Sequence, residues 1–287
     1  MHTPHYPLRI SLWFDNQAQE AAELYCSLFD NAAVNSVNPL VTTFHIDGIQ
    51  FMGINGGPHF TINASISLFV KSPNKEHLQR TWDTLIAGGK TLIELGEYPW
   101  SECYGWLQDK YGVTWQIMLH DIAVAQYTVT PCMLFINNVF GRATEALEFY
   151  AEVFNSDINF ITKQFYQQGT PNEGKLMFAD CTIAGNPLIA MDGPDAHDYA
   201  FNEAVSFVID CDTQEEIDYY WNAFTTNGGA ESHCGWCKDK FGVSWQIIPR
   251  QLPEFMNTPE KAQRVTAAFM PMYKLDLATL QQAAESI

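Results

Sequence analysis

Residues Tyr104 to Ile117 read YGWLQDKYGVTWQI, and residues Cys234 to Ile247 read CGWCKDKFGVSWQI. Nine of the fourteen positions are identical, so the chain carries an internal repeat offset by about 130 residues. Two further blocks recur in the same order. Glu20 to Phe29 (EAAELYCSLF) matches Glu145 to Phe154 (EALEFYAEVF), and Trp82 ahead of Gly88–Gly89 matches Trp221 ahead of Gly228–Gly229. The repeat places a first domain at residues 5–122, a linker at 123–129 within the joint Asp121 to Thr130, a second domain at 130–250, and an unmatched tail at 251–287.

Within each half the periods are readable. Ala18, Ala21, Ala22, Tyr25, Leu28 and Phe29 fall at helical spacing, as do Ala143, Ala146, Leu147, Tyr150, Val153 and Phe154. Each set follows a short strand-like segment. Three β-like segments come next in the first half, Ala33 to Asn38, Val41 to Asp47 and Gln50 to Ile54, broken by Pro39 and Asp47–Gly48. The order then restarts with a strand at Ser65 to Val70 and a helix at Lys75 to Ala87, stopped by Gly88–Gly89. In the second half, Asp212 and Glu215 read as a capping box for the matching helix. Asp109 and Gly112 occupy the ends of a type I turn, repeated by Asp239 and Gly242, so the last two strands of each half form a hairpin. Each half is thus βαβββ written twice, in the α+β class. In the tail, Ala262 to Met270 is an amphipathic helix ended by Pro271, and Asp276 caps a second helix over Leu277 to Ala284.

Composition excludes several function classes. Thirty-three Asp and Glu stand against 15 Lys and Arg, a net charge of −18. Such a chain opposes the phosphate neutralisation on which nucleic-acid affinity rests, and it disfavours anionic membranes. No apolar run approaches the ~18 residues of a membrane helix. Met1 to Phe14 lacks the basic start and apolar core of a leader, so the cytoplasm is the expected compartment. Seven scattered cysteines, an odd number, do not make a disulfide framework.

The doubled βαβββ plan, the opening LWFDNQAQEAAELYCSLF, the loop GGPHF at Gly56 to Phe60, the strand FNEAVSF at Phe201 to Phe207 and the two repeated cassettes resemble PhnB-like proteins. These belong to the vicinal-oxygen-chelate, or glyoxalase/bleomycin-resistance, superfamily and carry the label "3-demethylubiquinone-9 3-methyltransferase". The tail, PEKAQRVTAAFMPMYKLDLATLQQA from Pro259, is similar to the helical tail of many members. The resemblance implies tandem glyoxalase-like domains whose paired modules curl into half-barrel sheets, each a cup for a small molecule. It also implies that two domains on one chain form internally the pseudo-dimer that single-domain members form by pairing, with self-association beyond that left open.

Metal-dependent members use His or Glu on the first strand of each module and Glu on the last, four residues after the hairpin Gly. Counting from Gly112 and Gly242 gives Gln116 and Gln246, neutral amides that cannot act as general bases. The first strands, Leu8 to Phe14 and Met133 to Phe135, contain no His, Glu or Cys. Related sequences often carry a His where this chain has Val41 and Phe178. A conventional metal site and any other cofactor are therefore not expected. On the last strand of the first half, Val113, Trp115, Ile117 and Leu119 alternate on one face and should pack on helices, which turns Gln116 towards the cup.

Other constellations are weaker. Cys234-Gly-Trp-Cys237 has redox spacing, but its counterpart is Tyr104-Gly-Trp-Leu107 and it sits in a hairpin. Asp192 to Asp198 gathers three Asp with His197, the loop matching that of His59. Trp106 and Trp236 are either core aromatics or pocket walls. The glycine run Gly53-Ile-Asn-Gly-Gly57 precedes Pro58 and more β pattern rather than a helix, which argues against methyl transfer from S-adenosylmethionine. The ligand-contact candidates are Gln116, Gln246, His59, His197, Trp106 and Trp236. Three functions follow in order: metal-free binding or sequestration of a small organic molecule; a lyase, isomerase or dioxygenase acting on a vicinal oxygen compound through an unusual metal set drawn from His59, Asp192 and His197; and an interaction protein whose cups are filled by Phe and Trp.

Overall fold

The computed structural model describes residues 2–120 and 127–286, so most of the expected 123–129 linker lies outside the described residues. Four βαβββ modules follow one another. The first holds β1 (Arg9–Phe14), α1 (Ala18–Cys26), β2 (Ala32–Val37), β3 (Val41–Ile46) and β4 (Ile49–Asn55). The second holds β5 (Ile66–Ser72), α2 (Lys75–Leu85), β6 (Lys90–Tyr98), β7 (Ser101–Gln108) and β8 (Thr114–Leu119). The third holds β9 (Thr128–Phe135), α3 (Ala143–Val153), β10 (Ile158–Phe165), β11 (Leu176–Ile183) and β12 (Asn186–Asp192). The fourth holds β13 (Val205–Cys211), α4 (Gln214–Thr225), β14 (Ala230–Glu231), β15 (Trp236–Lys238) and β16 (Ser244–Pro249). The tail adds α5 (Leu252–Phe255), α6 (Pro259–Phe269) and α7 (Leu277–Glu285). No helix among the described residues is long and apolar enough to cross a membrane.

The modules share sheets across the repeat. Sheet 1 runs β14-β15-β16-β13-β1-β4-β3-β2 and joins the first and fourth modules through the antiparallel pair β1–β13. Sheet 2 runs β10-β11-β12-β9-β5-β8-β7-β6 and joins the third and second modules through β5–β9. Each half of the chain thus gives one module to each sheet, a partition that the repeat alone leaves open. The helices pack on one face of each sheet. Ala18, Ala21, Ala22 and Tyr25 of α1 are buried, as are Ala143, Ala146, Leu147, Tyr150 and Val153 of α3, the spacing expected of a helix with one apolar stripe. One continuous core joins the helix-bearing faces of both sheets.

The cassette that reveals the repeat ties these layers together. Asp109 Oδ1 accepts the backbone N–H groups of Tyr111 and Val113 at 2.9 and 3.0 Å, closing the turn before β8. Its Oδ2 accepts the Tyr25 hydroxyl from α1 at 2.7 Å and the Trp115 indole N–H at 2.9 Å. Asp239 repeats the set with Phe241, Val243, Tyr150 of α3 and Trp245. Since α1 packs on sheet 1 while Asp109 belongs to sheet 2, and α3 packs on sheet 2 while Asp239 belongs to sheet 1, each carboxylate bridges the two layers. Burial pushes both carboxyls above the usual range, and the donors around them pull the other way.

Two local readings change. The α4 cap is one residue further on than expected: Thr213 accepts from Glu216 N–H, and the Glu216 carboxylate accepts from the N–H groups of Asp212 and Thr213. Asp212 instead faces Tyr6 and Arg250. The fourth-module hairpin is also short, and the tail completes it, with Cys234 and Gly235 donating to the carbonyls of Met272 and Tyr273 at 2.7 and 2.8 Å. The tail helices form their own small core from Val265, Leu275, Leu280 and Ala284, and Asp276 caps α7 as expected. Replacing Asp239 by Ala strands four buried donors and should cost about 3 to 5 kcal/mol, against about 1 to 2 for Tyr150→Phe, read from urea-unfolding midpoints.

Candidate functional site

The face of each sheet turned away from the helices lines a cup. In sheet 1 the central inward positions, fixed by the register of β1, β4, β13 and β16, are Ser11, Met52, Ser206 and Gln246. In sheet 2 they are Cys132, Ile189, Ser67 and Gln116. Both glutamines are buried and turned inward, opposite Trp236 and Trp106 on the neighbouring strands. These four residues therefore form two matched pairs at the cup floors.

The two floors differ in what satisfies them. In cup 2, Gln116 Oε1 accepts the Tyr104 hydroxyl at 2.8 Å, while its Nε2 donates to Ser67 Oγ at 2.9 Å and points at Cys132 Sγ. Phe69, Tyr104, Cys132 and Ile189 are buried over it, with Tyr98, Met118 and Phe178 packed against them. Lys71 and Asp180 form an ion pair within the same inner face, both almost fully buried. Cup 2 is filled. In cup 1 the residue matching Tyr104 is Cys234, so the phenol is missing. Gln246 Nε2 donates to Ser206 Oγ at 3.0 Å, and among the described residues nothing donates to its Oε1. The same inner face carries two ion pairs, Arg9 in a bidentate contact with Asp210 and Lys238 2.8 Å from Glu203.

Trp13 forms the lip of cup 1. Its indole N–H donates to Gly57 O at 2.8 Å, and its ring meets Phe60 and Trp236 edge-on at 5.0 and 6.2 Å. Gly56 is required there, because a Cβ would lie 2.0 Å from the Trp13 ring. Beside Trp236 a cleft of about 180 Å³ is lined by Glu203, Glu231, Ser232, Trp236, Lys238 and Ser244, and the Glu231 carboxylate accepts the Trp221 indole N–H. The Ser244 hydroxyl is buried without a partner. Neither Trp106 nor Trp236 is fully buried, and the Trp106 indole N–H lacks an acceptor among the described residues.

The histidines are not drawn into these floors. His59 is exposed in the loop beyond Gly57, and His197 leans on Tyr199 at 4.9 Å while Asn137 clasps its backbone. Asp192 is buried and already accepts from Gly141, Ala143 and Leu176 N–H, so it holds the start of α3 rather than a cation. The pool His59, Asp192 and His197 does not assemble. Ser, Met, Ile and Gln side chains also do not fit a divalent ion, which favours carboxylate, imidazole or thiolate. Burial pushes the Cys132 thiol up to about 12, which keeps it protonated. Among the described residues, one cluster of potential ligands exists, His5, Asp212 and Glu216, and Glu216 there serves the α4 cap. Cys234 and Cys237 do not form a dithiol: Cys237 is in the core, and Cys234 Sγ lies against Met270.

Strand alternation in the sequence locates both glutamines but gives no sign of Arg9, Lys71, Asp180 or Asp210, whose partners are far away in the chain. The Tyr104-to-Cys234 change is legible as a mismatch within the cassette. It predicts unequal costs. Gln116→Leu leaves the Tyr104 and Ser67 hydroxyls buried without their partner and should destabilise by about 2 kcal/mol or more, whereas Gln246→Leu should cost about 1 or less, compared by chemical denaturation.

A family model described as 3-demethylubiquinone-9 3-methyltransferase matches residues 7–118 and 127–248. A putative 3-demethylubiquinone-9 3-methyltransferase, PhnB protein, from Bacillus cereus is 32% identical over 42% of this chain and 98% of its own, with a TM-score of 0.37. Glyoxalase I from Zea mays is 8% identical and covers 85% of this chain and 93% of its own at a TM-score of 0.55, a likeness of fold. A putative dioxygenase from Bacillus subtilis, 11% identical, covers 99% of this chain and 97% of its own at 0.49. No curated protein matches significantly. With both halves matched and the glyoxalase arrangement spanning most of its length, the chain belongs to the PhnB-like 3-demethylubiquinone-9 3-methyltransferase family.

Proposed function

We propose that this protein binds or sequesters a small organic molecule in cup 1 without a metal, and that cup 2 is structural. The observation that carries this reading is the contrast between the two floor amides. Gln116 accepts the Tyr104 hydroxyl under buried aromatic side chains, whereas Gln246 has no phenol partner and sits opposite Trp236, a wall of an open cleft. A ligand site needs apolar walls with a few convergent polar groups, which Trp13, Trp236, Ser11 and Gln246 supply. Methyl transfer from S-adenosylmethionine has no support in the glycines: Gly53 lies inside β4, and Gly56–Gly57 lead into the loop on Trp13 rather than a helix start.

Titration of the full chain with small aromatic compounds should saturate at one site and quench tryptophan fluorescence. Trp236→Ala should weaken binding at least tenfold, while Trp106→Phe should leave it within about twofold. Two equivalent sites, or equal sensitivity to both substitutions, would overturn the assignment to cup 1. Plasma mass spectrometry after dialysis without chelator should find no stoichiometric divalent metal; about one ion per chain would refute the metal-free reading.

A further inference from the structure

We infer that cup 1 takes an organic cation, a molecule that presents an ammonium group to the cleft at the β14 edge of sheet 1. This rests on the reading of cup 1 as the binding cup and names the class of its ligand. The charge comes from Glu231. Its Oε1 accepts the Trp221 indole N–H at 2.9 Å, which anchors the carboxylate at the cleft, and it makes no ion pair among the described residues. The other ionic groups lining the cleft, Glu203 and Lys238, face each other at 2.8 Å. Two carboxylates against one ammonium leave the cleft with negative charge in excess. A cation therefore enters to a waiting counter-charge, whereas an anion meets only a lysine that is already paired.

Two neighbours suit the same group. Trp236 gives the cleft an aromatic wall, and a tryptophan ring is the strongest π partner of a cation. Ser244 lines the cleft as well, is 1% exposed, and its hydroxyl has no partner among the described residues. It stands opposite Lys238 in the register of β15 and β16, so its side chain shares the inner face with Lys238 and Trp236. A hydroxyl accepts as readily as it donates, and an ammonium N–H would complete it. The sister cup keeps the tryptophan and none of the rest. By the matching strand registers, Glu231 corresponds to Thr91, Lys238 to Gln108 and Glu203 to Ala64. Thr114, at the place of Ser244, donates its hydroxyl to Ile66 O at 3.3 Å. The frame is common to both cups and does not account for charge and an orphaned hydroxyl in one of them.

The test compares three probes on the full-length protein at neutral pH by calorimetry and ligand-observed NMR: phenylethylammonium, phenylethanol and phenylpropanoate. They share ring and spacer and differ in charge. The ammonium should bind about fivefold more tightly than the alcohol, and the carboxylate most weakly. Glu231→Gln removes the charge but keeps an acceptor for the Trp221 indole; it should bring ammonium and alcohol to within about twofold of each other and leave the alcohol's own affinity unchanged. Glu97→Gln, on β6 of sheet 2, removes the same charge elsewhere and should leave the preference intact, which separates the cleft from the general acidity of the chain. Should Glu231→Gln fold poorly, judged by its circular dichroism and unfolding midpoint, Ser244→Ala serves in its place and should weaken the ammonium about threefold. If no probe binds up to about 10 mM, or binding ignores Trp236→Ala, the assignment of cup 1 as the binding cup fails and this inference falls with it. If the alcohol or the carboxylate binds as tightly as the ammonium, the inference is overturned while the cup assignment stands. A preference that survives Glu231→Gln, that is lost equally with Glu97→Gln, or an ammonium affinity untouched by Ser244→Ala, likewise overturns it.

Discussion

Two buried carboxylates carry the architecture. Asp109 and Asp239 each gather two backbone N–H groups of a hairpin turn, an indole from the following strand and a phenol from a helix lying on the other sheet. Hydrophobic burial drives the two layers together but is nearly indifferent to their exact offset, whereas four converging donors are not. The turn, the tryptophan and the tyrosine must therefore be in place at once. That requirement explains why the Asp-Lys-aromatic-Gly-Val-x-Trp-Gln run is repeated so closely: its aspartate, turn residues and tryptophan serve the joint between layers, while its glutamine looks into the cup.

With the frame held in common, the cups are free to differ. Cup 2 buries Phe69, Tyr104, Cys132 and Ile189 with a Lys71–Asp180 pair, and so behaves as a second small core. Cup 1 keeps its ion pairs at partly exposed positions and, among the described residues, leaves the buried Ser244 hydroxyl without a partner. The difference turns on few residues. A tyrosine on β7 closes one floor, and at the matching place the chain has Cys234, whose backbone is tied to the C-terminal tail.

Much of this is legible in the amino-acid sequence. The alternation on β8 turns Gln116 inward because a strand buried on one face has no other solution, and the repeat carries the same conclusion to Gln246. Helix bounds and the Asp276 cap follow from local spacing. The sharing of sheets does not, because strand pairing across the midpoint depends on contacts between residues distant in the chain, such as Ser11 and Ser206. The role of Asp109 is half visible: its turn is local, but the Tyr25 phenol reaches it from a helix in another module. Ion pairs such as Arg9 with Asp210 leave no periodic trace, so nothing in the chain announces which cup is polar.

The exchange of modules between halves has a consequence for how such a protein can change. In an assembly of two identical chains built this way, every substitution enters both cups together, and neither can be surrendered without losing the other. Here the first and fourth modules make one cup, and the second and third make the other. No module contributes to both. A duplicated and fused chain can therefore let one cup drift into pure scaffold while the other keeps its polar interior, an independence that symmetry forbids to the paired form.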